Sequence, residues 1–242
     1  MTPRKLIERL EASAALPSGG GERFNGYGLM GLPFRSGHVL AMRRFQVSSM
    51  GPGYTSVWHR APSGAWTFYA DVGASISCAR YFCAAGARAV ETGIHLSWRD
   101  EYAFTVEVPA ARLDWEVQVV ATPATRTLNA MARSLPPGAW RNRAVLSTMG
   151  RVAGVMLRAG RVRLTGRVPS RQRFIAGPRT VWAVGGSRAA LAGEEFGPPG
   201  AVNPQARLGD FWIPQRGVLA VGGAIFDPFN PLEHSALMTT PS

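Results

Sequence analysis

Lysine is almost missing from this chain: Lys5 is the only one, and every other side-chain cation apart from histidine is an arginine. Histidine is scarce as well. His38, His59, His95 and His234 are paired at neither i,i+2 nor i,i+4, so the sequence holds no metal-site spacing. The two cysteines, Cys78 and Cys83, form a C-x4-C pair with no second pair and no neighbouring histidine, which excludes a zinc framework. A disulfide between them would close a loop too short to stabilise the fold much, so both are expected to be reduced and buried, as in a cytoplasmic protein. Apolar runs approaching the roughly 18 residues of a membrane span are missing. The N-terminal segment mixes charges with apolar residues and has no continuous secretion-signal core. Charged residues make up 17% of the chain, below the usual figure of about 25%, while hydrophobic residues reach an ordinary 46%, a balance that excludes disorder.

Acidic residues are missing from one long stretch. Between Glu116 and Glu194 there is none, yet thirteen arginines lie there, from Arg126 to Arg188. The remaining chain carries 14 basic against 15 acidic residues, so 13 − 1 gives the whole net charge of +12. Such segregation attracts anionic groups, whether a membrane surface or an acidic partner. Nucleic acid is not the expected partner, because no helix-turn-helix, zinc-finger or RNA-recognition signature accompanies the charge.

What is present is mostly β-periodic. Residues 1–22 read as a short helix, with Leu6, Leu10 and Ala14 on one face, and a flexible linker at Ser18–Gly21. Residues 23–242 read as one β-rich domain. Gly26 to Gly31 formally match G-x-G-x-x-G, but Pro33 and Gly37 stand where a dinucleotide-binding helix should run, so the segment reads as a loop and no cofactor is implied. From 38 to 121 apolar residues alternate with polar ones, as in Leu113, Trp115, Val117 and Val119 against Asp114, Glu116 and Gln118. A helical pair is inserted at about 125–158, with Arg143, Arg151 and Arg158 opposite the apolar arc of its second helix. Strands return after Gly160. The expected architecture is an antiparallel, lipocalin-like barrel or two-sheet sandwich of about nine to ten strands.

Seven tryptophans give the β-rich part a large aromatic content. If some line an apolar cavity, the candidate ligand-binding residues are Trp58, His59, Tyr69, Arg80 and Tyr81. Arg126, Asn129 and Arg216 join them as polar residues beside apolar segments, where pocket rims form. No catalytic residue stands out. Gly185–Ala189 loosely imitates a nucleophile elbow around Ser187, with Asp210 or Asp227 and then His234 downstream, which makes a serine ester hydrolase the alternative reading.

The segments GAWTFYADV (64–72), SCARYF (77–82) and FWIPQRGVLAVGGAIF (211–226) resemble those of a family of uncharacterised actinobacterial proteins. A more distant, architectural likeness is to lipocalin-like β-barrels of the carotenoid hydratase type, which handle apolar polyenes. Taken with the cysteine and charge readings, the expectation is a cytoplasmic protein, peripheral at a membrane if its basic face docks there. It would bind a hydrophobic or amphiphilic small molecule, and isomerise, cyclise or hydrate it if it is an enzyme. A third reading is an arginine-rich binding protein for an anionic surface or acidic partner. The sequence does not fix an oligomeric state.

Overall fold

A computed structural model describes residues 1–83 and 86–234; Ala84, Ala85 and the tail that the sequence assigns to the β-rich part lie outside the described residues. Helix α1 (Pro3–Ser13) precedes four strands, β1 (Glu22–Pro33), β2 (Val39–Ser48), β3 (Tyr54–Arg60) and β4 (Trp66–Ala70). A single turn, α2 (Ala79–Phe82), leads to β5 (Arg88–Glu91), β6 (His95–Trp98), β7 (Ala103–Val108) and β8 (Leu113–Val120). Helices α3 (Pro123–Ser134) and α4 (Arg143–Met156) follow, then β9 (Thr165–Arg167), the long β10 (Arg173–Leu191), the short β11 (Glu194–Glu195), β12 (Arg207–Leu208) and β13 (Phe211–Trp212), and finally β14 (Val218–Phe226).

The main path of the sheet runs β5-β4-β3-β2-β1-β14-β10-β8-β7-β6. All neighbours along it are antiparallel except β4 and β5, which pair in parallel. The two edge strands, β5 and β6, are consecutive in the chain. Only Thr92–Ile94 separate Glu91 from His95, so at about 3.8 Å per Cα step the edges stand no more than about 15 Å apart there. Ten strands can satisfy that tether only by curling, and the result is a half-barrel left open between β5 and β6.

Residues from both ends of the sheet share one cluster on the inner face: Leu40, Met42 and Val57 from β2 and β3 meet Phe104, Val106 and Trp115 from β7 and β8. Ile7 of α1 belongs to this cluster and is fully buried. The opposite face of β1 to β4 carries a second cluster, with Phe24, Phe45, Tyr54, Trp58 and Phe68 packed against Tyr81 and Phe82 of α2. Strand alternation separates the two clusters residue by residue, so Val57 faces inward and its neighbour Trp58 outward.

Two local readings change. Gly26 to Gly31 lie inside β1 and not in a loop. The glycines serve close strand approach: a Cβ on Gly26 would stand 2.0 Å from the Arg44 carbonyl oxygen, too close for any side chain. The alternating segment 38–121 is not one continuous meander, because β1, β14 and β10 separate β2–β4 from β6–β8.

Candidate functional site

The outer sheet face carries a cavity of about 160 Å³. Phe24, Tyr54, Trp58 and Phe226 contribute to its sheet side, and Leu128 and Met149 come from the helices above. The cavity therefore lies outside the curl of the sheet, whose inner face is filled by the first cluster. An internal barrel cavity, the arrangement expected from the alternation, gives way to a cleft between sheet and helices.

The roof is built locally. Thr122 caps α3 by accepting from the Thr125 amide at 3.2 Å, and Pro123 occupies the first turn, where its missing N–H is not needed. Asn142 caps α4 by accepting from the amides of Ala144 and Val145 at 2.9 and 3.2 Å. Side-chain volume then sets how close the next segment approaches. A Cβ at Gly150 would stand 2.8 Å from the Val162 carbonyl oxygen, and one at Gly154 2.5 Å from that of Gly160. The chain at 160–164 thus lies directly against α4, and Val162 and Leu164 complete the cavity wall.

Asn129 fastens the roof to the sheet. Its side-chain amide donates to the Val181 carbonyl at 3.0 Å and accepts from the Val181 amide at 2.7 Å. Strand β10 pairs with β9 over 173–175 and with β8 from 183 onward. Asn129 fills the interval between them, a side chain taking the place of a neighbouring strand.

Arg43 is the only charged side chain among the described residues of the lining. It is 5% exposed and makes none of the ion pairs among the described residues. Its Nη1 donates to the Leu29 and Met42 carbonyls at 2.5 and 2.8 Å, and its Nη2 to the Met30 carbonyl at 3.2 Å. The guanidinium carbon lies 4.5 Å from the Trp58 ring centre and 5.7 Å from that of Phe211. Burial lowers its pKa to about 10, so it remains cationic at neutral pH. Nearby, the Tyr54 hydroxyl and the Cys78 thiol are hydrogen-bonded at 3.3 Å. Burial pushes both groups up, which keeps them neutral, and both cysteines are free and buried. These groups can recognise a polar head; none of them changes protonation state near pH 7.

The candidate residues fall in several places. Trp58, Tyr81 and Asn129 line the cavity. Adjacent His59 points to the other side of the sheet, where its Nε2 lies 2.8 Å from Nδ1 of His38 and both rings stack on Phe196. Tyr69 packs on the inner cluster. Arg80 forms an ion pair with Glu22 at 2.9 Å, and the Tyr81 hydroxyl and Gln172 donate to the same carboxylate. Burial alone would raise the Glu22 pKa, but the hydrogen bonds from Arg80 and Tyr81 and the Arg80 charge hold it below the ordinary range. Arg126 is exposed on α3, and Arg216 is exposed just before β14. Neither lines the cavity.

The nucleophile-elbow reading is corrected. Ser187 sits inside β10, which runs on to Leu191 with no turn into a helix. Its hydroxyl accepts from the Trp115 indole at 2.9 Å and donates to the Glu116 carbonyl at 2.8 Å. Asp210 is held by Arg163 and by the Arg167 amide.

Arg43 is not among the candidate residues read from the sequence, although the sequence carries a signal for it. In VLAMRRFQV it shares a strand face with Val39, Ala41 and Phe45, a cation in register with apolar residues. Tyr54 and Cys78 carried no comparable mark.

No protein-family model matches the chain, and no curated protein matches it. Among solved structures, an acetoacetate decarboxylase from Legionella pneumophila is similar over 94% of this chain and 95% of that one, at 12% identity and a TM-score of 0.40. That likeness assigns no chemistry here. The chain is a curled, mainly β half-barrel with a helix-roofed apolar cavity; no helix among the described residues is long and apolar enough to cross a membrane.

Proposed function

We propose that this chain binds a small, largely apolar molecule between the outer sheet face and α3–α4. The observation that carries the reading is the cavity itself, walled by aromatic and aliphatic side chains beside a well-packed inner cluster. A dry cavity of roughly 150 Å³ is large enough to admit benzene, so the fitting ligands have about one ring or a short branched chain. A carotenoid-length polyene is far too large. Calorimetric titration with benzene and indole tests this: saturable binding is expected, and it should vanish when Ala132→Phe fills the space. Failure of the wild-type chain to bind either probe would overturn the reading.

A second reading rests on a different observation. All thirteen arginines from Arg126 to Arg188 are exposed, and among the described residues only Arg163 forms an ion pair, with Asp210. The segment that carries them also builds the cavity roof. We propose that this basic face docks on an anionic membrane surface, from which an apolar ligand would enter.

A further inference from the structure

We infer that Arg43 is a carboxylate-recognition residue, and that the ligand class of the cavity is a small aromatic or aliphatic acid whose head group meets this guanidinium. The inference rests on the cavity being a binding site, as proposed above, and adds the charge and geometry of what it binds.

The first support is the lack of a counter-charge. A buried cation is costly when it has neither an anion nor a full set of acceptors. Arg43 has no acidic partner among the described residues, and no aspartate or glutamate lines the cavity. The contrast with Arg80 is instructive. That residue is more exposed, yet it is matched by the carboxylate of Glu22.

The second support is the inventory of donors. A guanidinium carries five N–H groups. Three are engaged by the carbonyls of Leu29, Met30 and Met42, two from Nη1 and one from Nη2. Nε–H and one N–H of Nη2 have no protein acceptor among the described residues. These belong to two nitrogens of the same guanidinium, and a carboxylate has two oxygens with which to accept from both. Trp58 and Phe211 contact the cation through their rings and supply no acceptor in its plane.

The third support is the company it keeps. The Tyr54 hydroxyl and Cys78 thiol, which burial keeps protonated, offer no negative charge to compete for the cation. The rest of the lining is predominantly apolar, so a ligand matching it carries its charge at one end only. A carboxylate is the anion that one guanidinium neutralises; a phosphate dianion would leave a net negative charge in an apolar enclosure.

The test compares benzoate with nitrobenzene, a neutral molecule of nearly the same shape, by calorimetry on the full chain at pH 7. Benzoate is expected to bind at least tenfold more tightly. In Arg43→Met, which keeps the length of the stem, the ratio of benzoate to nitrobenzene affinity should fall to about one. If that variant does not fold, the wild-type comparison and Arg43→Lys decide, with a reduced but persisting preference for benzoate expected of the lysine variant. Equal affinity for the two probes in the wild type, or an undiminished preference in Arg43→Met, would overturn the inference and leave the cavity reading standing. Binding of neither probe would remove both.

Discussion

Arg43 and Trp58 stand 4.5 Å apart on adjacent strands, guanidinium against indole, and both face the cavity. The register that pairs Arg43 with Ser56 and Ala41 with Trp58 makes them diagonal neighbours. Ser56 fixes the indole by accepting its N–H at 3.1 Å. The ring thus serves the packing of the outer cluster and holds the cation. Trp58→Ala should cost about 3–5 kcal/mol in urea unfolding, the usual loss for a fully buried large aromatic. Trp58→Phe, which keeps a ring face for Arg43, should cost less than half of that. Equal losses would show that a ring retained at this position contributes nothing to stability.

Asn129 gives a second expectation. Asn129→Leu leaves the Val181 amide and carbonyl without their side-chain partner and should lower stability by about 1–3 kcal/mol. The sharper readout is local. Hydrogen exchange at the Val181 amide should accelerate well beyond the global change, because α3 is no longer fastened at that point. Unaltered protection of Val181 would show that the roof is held by packing alone.

The buried histidine pair predicts a pH dependence. Burial, with a smaller contribution from His38, lowers His59 to about 4, while the unfolded value is near 6.5. Burial lowers His38 too, partly opposed by Glu194. Between pH 6.5 and 4 the unfolded chain takes up a proton at His59 that the folded chain does not. Stability should therefore fall through that window, by up to about 3 kcal/mol, and this contribution levels off below pH 4. Glu22 acts lower on the scale. Its carboxyl is depressed in the fold, so its stabilisation is full above the unfolded value near 4.5 and is lost as pH falls through the folded value. Urea melts across pH 4–7 should show the histidine slope in the wild type and a flatter profile in His59→Gln. An equal slope in the variant would refute the assignment.

For the basic roof, co-sedimentation with vesicles containing phosphatidylserine should be strong at low salt and fade as salt rises. Charge reversal at Arg143, Arg151 and Arg158 should weaken it severalfold. Equal binding to purely zwitterionic vesicles would count against docking by charge.

Much of the architecture is written in periodicity. The alternation of Leu113, Trp115, Val117 and Val119 marks inward positions of β8, and the apolar run 217–226 becomes β14, a strand paired on both edges. Helical spacing around Leu128 and Leu146 locates α3 and α4. Alternation cannot tell which of two buried faces holds space, however, because both β2 and β3 are largely buried on each side. That is why the sequence groups Trp58 with its neighbour His59, although the two point to opposite faces. The glycine-rich β1 misleads for a related reason: Gly26 and Gly28 are there for the backbone of β2, a long-range neighbour that no local pattern announces. The carbonyls around Arg43 are equally non-local, coming from β1 as well as β2.

The opposed faces of β2 and β3 separate two kinds of evolutionary freedom. Along β2 the odd-numbered Arg43 and Phe45 line the cavity, while the even-numbered Leu40 and Met42 belong to the inner cluster; on β3 the parity is reversed, with Tyr54 and Trp58 set against Val57. Drift at every second codon of these strands would therefore reshape the cavity wall and the outer cluster together, while the inner cluster on the codons between them stayed as it is.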